Sequence, residues 1–457
     1  MVSVSGFRGR VGEALTPELV AGVASAFGAF LSADGDEGPI LLGRDSRTSG
    51  PLLARAASAG LESVGREVVD LGMVATPTLL LEVESSGAAG GIVVTASHNP
   101  SEWNALKLAG GDGMFLDAER MSRFLRALRE ESPPRAPWDE LGRRREDPGA
   151  TTRHVEAILG LPHVDVAGLR DRGFHVVVDC VHGAGGVLIP PLLHALGCRV
   201  EWLGGEPDGR FPRDPEPRGD NLGELEERIR RTGAELGFAV DPDVDRLSLV
   251  DGQGRALGED LTLALAAAAV LQHQQGPVVT NLSTSRVVED VARHHGVPLV
   301  RSPVGEINVA RKMQEVRAVV GGEGNGGVIL PELHGTRDAA AGMALVLQHL
   351  LETGRDLRSA ADRWPGYEIV KEKRAFPREL LSQAYRLLRA GPGADAEADE
   401  QDGLRLDWPE AGAWLHVRPS GTEPVVRLIA EAPSGDQARD LVEEAGRVLE
   451  SAVEEEP

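Results

Sequence analysis

The sequence predicts an α/β protein of several domains with at least partly parallel sheets. Three observations predict it: a repeated supersecondary unit, the alternation of short β-branched runs with helical periodicity, and the length of the chain. The unit runs strand, polar or glycine-rich loop, helix, strand, and it occurs three times. Its first copy is PILLGRDSRTSG, PLLARAASAGLESVG, EVVDLG; its second is HVVVDCVHGAGG, LIPPLLHALG, CRVEWLGG; its third is PVVTNLSTS, RVVEDVARHHG, VPLVRSP. Strands that alternate with helices tend to pair in parallel, because the helix carries the chain back to the starting end of the sheet. At 457 residues the chain is too long for one core, and about 150 residues per domain suggests three or four domains with clefts between them.

Taken in order, TPELVAGVASAFGAFL has Thr16 as N-cap, Pro17 at the first helical position and Leu19, Val23, Phe27 and Phe30 on one face. That pattern predicts a packing helix without chemistry. Each repeat copy is followed by a further apolar run that stops abruptly in a polar loop. GIVVT leads to ASHNP, LGFAV to DPDVDR and RAVVG to GEGNGG, while AWLHV leads to RPSGTEP near the C-terminus. Ligands of open α/β sheets gather outside the carboxyl ends of strands, so the four loops are expected to converge on one cleft.

Shifts in composition place domain boundaries at 1–147, 148–250, 251–365 and 366–457. The stretch 131–150, rich in proline and charge, reads as a linker, and 389–403 as a flexible acidic loop inside the last domain.

The 71 acidic against 48 basic side chains give a formal charge of −23, which argues against binding to nucleic acid or to an anionic membrane surface. An anionic ligand therefore needs basic residues gathered locally. Cys180 and Cys198 form no CxxC pair, so neither a zinc site nor a disulfide framework is expected. With no secretion signal at the start and no apolar run of about 18 residues, a soluble cytoplasmic protein is expected.

In TASHNP, Ser97 stands beside His98 after an apolar run, as a nucleophile or carrier would, although the same residues ahead of Pro100 also suit an ordinary turn. In DPDVDR, Asp241, Asp243 and Asp245 alternate, so an extended loop could project three carboxylates to one side, where a cation would relieve their repulsion. Oxygen ligands suit magnesium or calcium; the alternative is a solvated surface turn. An EF-hand is excluded, since its glycine and glutamate positions hold Arg246 and Gly252.

GEGNGG fits the dinucleotide fingerprint G-x-G-x-x-G, but that fingerprint needs a helix to follow at once, and VILPEL follows instead. A glycine-rich turn offering Glu323 and Asn325 to hydroxyl groups, such as those of a sugar, fits better. In RPSGTEP, Arg418, the hydroxyls of Ser420 and Thr422 and the amides around Gly421 make either a phosphate cradle or a loop with an arginine salt bridge. No Walker-type motif and no GxSxG elbow are present, which leaves a serine hydrolase without support.

Together, in this order and along essentially the whole chain, the four loops resemble those of the α-D-phosphohexomutases, the family of phosphoglucomutase, phosphomannomutase and phosphoglucosamine mutase. The resemblance implies three similar α/β domains with mixed sheets and a smaller C-terminal α+β domain around a central cleft. It implies that Ser97 is the phosphorylated catalytic residue, and that Asp241, Asp243 and Asp245 hold Mg2+ with the phosphoserine oxygen as a further ligand. It makes Glu323 and Asn325 the sugar-recognition residues, and it makes Arg418, Ser420, Gly421 and Thr422 the grip on the non-transferring phosphate.

SGFRG, with Arg8, and Lys107 after TASHNPSEWNA also match the family. The N-terminal segment departs from the commoner GTSGIRG, and Gly327 stands where many members carry histidine. The GEGNGG form is most similar to phosphoglucosamine and phosphomannose mutases of archaeal type.

The activity so implied interconverts hexose 6-phosphate and hexose 1-phosphate through a phosphoserine and a hexose 1,6-bisphosphate, which also acts as activator. Glucosamine phosphate is placed ahead of mannose and glucose phosphates, with a monomer or homodimer expected. Arg8, Lys107 and Arg246 would stabilise the transferring group or move a proton, and Lys107 is the choice for the proton. His98 would orient Ser97, and Arg427 would either assist the cradle or face solvent. The rival of a different class is a sugar-phosphate-binding protein without turnover.

Overall fold

The computed structural model describes residues 2–3, 6–130, 132–420 and 425–454. Among these residues four sheets form. The first contains β1 (Val2–Ser3), β2 (Gly6–Arg10), β3 (Ile40–Arg44), β4 (Val68–Met73), β5 (Gly90–Val94), β6 (Trp103–Gly110) and β7 (Arg144–Glu146), in the order β1-β2-β6-β5-β3-β4-β7. The second contains β8 (His175–Asp179), β9 (Arg199–Leu203), β10 (Leu236–Val240) and β11 (Leu247–Asp251), ordered β11-β10-β8-β9. The third contains β12 (Val278–Asn281), β13 (Leu299–Ser302), β14 (Val320–Glu323) and β15 (Gly327–Ile329), ordered β13-β12-β14-β15. The fourth is antiparallel throughout, with β16 (Glu368–Ala375), β17 (Glu397–Asp399), β18 (Leu404–Trp408), β19 (Ala413–Pro419) and β20 (Val425–Ala432) ordered β16-β20-β19-β18-β17.

The repeat is now visible as topology. β3 with β4, β8 with β9 and β12 with β13 pair in parallel. On the other flank β5, β10 and β14 join the same first strands, again in parallel. The chain then turns at their carboxyl ends and returns antiparallel as β6, β11 and β15. The first three polar loops singled out above, ASHNP, DPDVDR and GEGNGG, are the reversals between such pairs, so three reversals lie at equivalent edges of three sheets.

The second and third sheets share one hydrophobic core, built from residues between Val155 and Trp364 with Ala75 of the first unit against them. Helices Glu259–Leu271 and Ala339–Thr353 lie within it, buried on nearly all sides, as helices that are apolar all round must be. The fourth sheet packs its own core with helices Leu381–Ala390 and Gly435–Glu454, so it joins the rest through polar contacts and the cleft.

Three expectations change. In helix Pro17–Ala33, Thr16 does cap by accepting from the Leu19 amide, but Leu19 itself is 42% exposed and Val20 takes its place in the core. Part of the stretch read as a linker, Arg144–Glu146, extends the first sheet as a parallel edge strand on β4. Within the acidic loop, Glu397–Asp399 forms an edge strand on β18. Polar edge strands carry little apolar signal, which is why composition reads them as loops. Among the described residues no helix is long and apolar enough to cross a membrane.

Candidate active site

Ser97 follows β5 in the left-handed region, with φ +49°, a conformation that a non-glycine residue keeps only when its surroundings impose it. Arg47 imposes it. Its fully buried guanidinium donates to the carbonyls of Ser97 (2.6 Å), Asn99 (2.7 Å), Pro100 (2.7 Å) and Trp103 (3.0 Å). Its Nε donates to Asp45 at 3.0 Å, and Asp45 also accepts from the Thr95 hydroxyl at 2.6 Å. Thr95 in turn accepts the Ser97 amide at 2.9 Å. Asp45 and Arg47 lie in the loop RDSRTSG, to which sequence reading gave no role; their adjacency to a repeat strand was the only available signal.

The Ser97 hydroxyl is 3.3 Å from His98 Nδ1 and donates to Asp241 Oδ2 at 2.9 Å. Burial, followed by the Arg246 and Arg8 charges, pushes His98 down to about 2, so the imidazole is neutral. Arg8 donates to the Asn99 side chain at 2.7 Å, and Arg246 pairs with Glu216.

Asp241, Asp243 and Asp245 are fully buried and bring carboxylate oxygens within 4.8 Å of one another. They do so by a tight turn, not by the extended loop expected from their alternation. The Val244 amide bonds the Asp241 carbonyl at 3.1 Å, Val244 has φ +65°, and Asp241 Oδ1 accepts the amides of Asp245 (3.0 Å) and Arg246 (3.2 Å). Asp243 Oδ2 accepts from Thr76 (2.7 Å) and Lys107 (2.8 Å), and Asp245 Oδ2 accepts from Arg337 (2.6 Å).

Asp243 Oδ1 and Asp245 Oδ1 are buried without a hydrogen-bond partner. Burial and then its two acidic neighbours push Asp241 well above the usual carboxylate range. Two orphaned oxygens and mutual repulsion in an all-oxygen set fit a hard divalent cation. Burial alone would depress Lys107, but Asp243 and Asp245 outweigh it and hold the ammonium above its ordinary value. Lys107 therefore stands as a fixed positive charge in this arrangement.

All four units meet at a cleft of about 930 Å³, which Ser97, Arg246, Asn325 and Arg418 line from one unit each. Arg8, His98, Lys107, Glu323 and Arg427 line it too. Among the described residues nine arginines and lysines face it against four glutamates, so a chain of net charge −23 gathers its positive charge here, as an anionic ligand requires. Glu323 is held by Asn281 (2.8 Å), the Gly305 amide (3.1 Å) and Arg337 (3.0 Å), while Asn325 accepts the Gly327 amide at 3.2 Å. Strand β15, not a helix, follows GEGNGG, so the dinucleotide fingerprint has no helix N-terminus to work with.

On the fourth sheet, Arg418 of β19 stands opposite Arg427 of β20, which stands opposite Lys373 of β16. Arg427 thus faces the cleft. The Nε atoms of Arg418 and Arg427 are buried without partners. A row of like charges across neighbouring strands is unfavourable unless an anion answers it. Sequence reading missed Lys371 and Lys373, which also line the cleft, although their i, i+2 spacing on a strand places them on one face. Ser420 is buried and its amide bonds the Val425 carbonyl at 2.8 Å; Gly421 and Thr422 lie outside the described residues.

Behind the acidic turn a second buried group braces three units. Asp338 accepts from His154 Nε2 (2.7 Å) and His334 Nε2 (2.9 Å), and His154 Nδ1 meets the Thr78 hydroxyl at 2.8 Å. The next residue, Ala339, donates its amide to the Val244 carbonyl at 3.1 Å.

A cleft rich in cations, with a buried hydroxyl set against three clustered carboxylates, is suited to handling phosphoryl groups. The family models for phosphoglucomutase/phosphomannomutase match in order along the chain: alpha/beta/alpha domain I at 2–134, domain II at 152–254, domain III at 258–367 and the C-terminal domain at 370–447. A probable phosphoglucosamine mutase of Methanopyrus kandleri is 38% identical over 454 residues, covering 99% of this chain and 98% of that protein. A phosphoglucomutase/phosphomannomutase of Thermococcus kodakarensis is 37% identical over 452 residues, with 98% of each chain covered. The crystal structure of a phosphoglucomutase/phosphomannomutase family protein from Burkholderia thailandensis superposes with TM-score 0.86 at 28% identity, covering 99% of this chain and 98% of that one. The protein is a phosphohexomutase, an isomerase that moves phosphate within one sugar. It belongs to the phosphoglucomutase/phosphomannomutase family.

Proposed function

We propose that the protein interconverts a hexose 6-phosphate and a hexose 1-phosphate through phospho-Ser97 and a bound 1,6-bisphosphate, with glucosamine phosphate as the preferred sugar. The two phosphate positions of a hexose are too far apart for direct migration, so the enzyme must lend one phosphoryl group and recover another. The observation that carries this reading is the Ser97 hydroxyl, buried and 2.9 Å from Asp241 within the acidic trio.

In the first half-reaction the Ser97 oxygen–phosphorus bond breaks as the free sugar hydroxyl forms its own, and the proton that hydroxyl gives up is balanced by the one the released Ser97 oxygen takes on. The sugar then turns over in the cleft, and Ser97 takes the other phosphoryl group. Transfer of this kind has a loose transition state, so positioning and charge matter more than a strong base. That suits a neutral His98 and a cationic Lys107. Asp241, Asp243 and Asp245 would hold Mg2+, which when bound neutralises charge on the phosphoryl oxygens. Arg8, Lys107 and Arg246 add fixed positive charge around the transferring group. Glu323 and Asn325 present acceptors to sugar hydroxyls, and the Arg418–Arg427–Lys373 row grips the phosphate that is not moving. The sugar preference is supported by the likeness to the Methanopyrus kandleri protein; the likeness to the Thermococcus kodakarensis protein supports mannose or glucose phosphate as the second reading.

The test compares the wild type with Ser97→Ala on glucosamine, mannose and glucose phosphates, each primed with its 1,6-bisphosphate, with the wild type reporting the sugar preference and the variant the serine carrier. Turnover should vanish in the variant, and intact-mass analysis should find a phosphate on the wild type that the variant lacks. Retained turnover would remove the serine carrier, and a flat response across the three sugars would remove the preference.

A further inference from the structure

Asp402, in the turn between β17 and β18, joins the cationic row of the fourth sheet to the third unit. A single oxygen, Oδ2, forms an ion pair with Arg418 at 3.1 Å and accepts a hydrogen bond from the Val304 amide at 3.0 Å. The residue after Val304 is Gly305, whose amide donates to Glu323 at 3.1 Å. One peptide unit therefore separates the bond to Asp402 from the bond to the carboxylate of the sugar loop. The same turn is fastened twice more. The Asp402 carbonyl accepts His416 Nε2–H at 2.7 Å, which leaves His416 Nδ1 to accept the Ser283 hydroxyl across the junction at 2.8 Å. Gly403 has φ +87°, and a Cβ there would meet the Val417 carbonyl oxygen at 2.4 Å and Arg418 Cα at 2.9 Å, so only glycine lets the turn lie against the strand that carries Arg418.

Arg418 needs such a partner. Arg427 stands opposite it with Lys373 beyond, so three cationic residues lie side by side on neighbouring strands, where like charges repel. A guanidinium has five N–H donors, so a carboxylate that takes one leaves a fork for an anion. We propose that Asp402 is a positioning residue: it aims Arg418 at the substrate phosphate and, through the same oxygen, registers the fourth sheet on the Val304–Gly305 turn beside Glu323. The phosphate grip and the sugar-recognition loop are thereby held at a set spacing. The proposal rests on the reading of Arg418 as a phosphate ligand.

The test compares Asp402→Ala, Asp402→Asn and Arg418→Ala in the full-length enzyme. It measures the calorimetric Kd for inorganic phosphate, and kcat and KM for the best substrate of the three sugars. Asp402→Ala should raise both Kd and KM about fivefold to tenfold, a loss of about 1–1.4 kcal/mol, with a smaller change in kcat. Asp402→Asn keeps an acceptor for the Val304 amide without the ion pair, and should fall between wild type and alanine. A lowered unfolding transition with unchanged Kd and KM would make the role merely structural and overturn the proposal. A tightened Kd would overturn it too, by showing that the carboxylate competes with phosphate. If Arg418→Ala weakens phosphate binding and Asp402→Ala does not, only the positioning role fails; if Arg418→Ala has no effect, the phosphate reading beneath it fails.

Discussion

Replacing Arg337 with methionine asks how much one buried guanidinium does for the acidic centre. Arg337 donates to Asp245 at 2.6 Å and to Glu323 at 3.0 Å, and it lies 3.3 Å from Glu306, with its side chain only 9% exposed. Methionine keeps much of the stem volume and removes the charge, leaving three carboxylates without their common cation. Breaking one buried pair costs about 3–5 kcal/mol, because the abandoned charge cannot reach water. Bonds that share one guanidinium do not add, so a total of about 4 kcal/mol is expected in the absence of metal. A divalent cation bound at Asp245 restores part of the missing positive charge, so excess Mg2+ should recover part of the loss. Mg2+ should therefore stabilise the variant more than it stabilises wild type. The assay is urea unfolding followed by circular dichroism in EDTA and in millimolar Mg2+, scored on the first cooperative transition, since several packed units need not unfold together. A variant that unfolds like wild type in EDTA, or that gains no more from Mg2+ than wild type does, would refute the reasoning.

Two more outcomes are expected. In the unphosphorylated enzyme the His98 ring, held down at about 2 by burial and by Arg246 and Arg8, should keep the chemical shifts of a neutral imidazole from pH 8 to pH 5; a midpoint near the ordinary 6.5 would show that neither burial nor those charges act on it. His154→Ala removes buried bonds of 2.7 Å to Asp338 and 2.8 Å to Thr78, and should destabilise the protein by about 2–4 kcal/mol in urea unfolding, whereas an unchanged midpoint would mean that the brace behind the acidic turn carries no load.

Much of the candidate site was legible in the sequence because its parts are local. An apolar run that stops at a polar loop is a pattern within about ten residues, and the carboxyl-end rule for open sheets says where such loops go. Ser97, the three aspartates, Glu323, Asn325 and Arg418 were found that way, and the structure brings them around one cleft or directly beneath it. What failed was also local in origin. Leu19 satisfies the helical spacing but lies just off the buried face, and the polar edge strands Arg144–Glu146 and Glu397–Asp399 lack the alternation that marks a half-buried strand. The aspartates alternate as an extended segment would, but left-handed Val244 and the amides captured by Asp241 Oδ1 fold them into a turn.

By itself the sequence determined the repeated strand–loop–helix unit, the ends at which the loops lie and the residue types they carry, since hydrophobic period and turn chemistry act over a few positions. Only the tertiary structure decided which charges meet. The Ser97 bond to Asp241 spans 144 positions, Thr76 to Asp243 spans 167 and Arg337 to Asp245 spans 92. Partners so distant are chosen by how the sheets pack and by the cost of leaving a buried charge alone, and neither is written in any short stretch of chain.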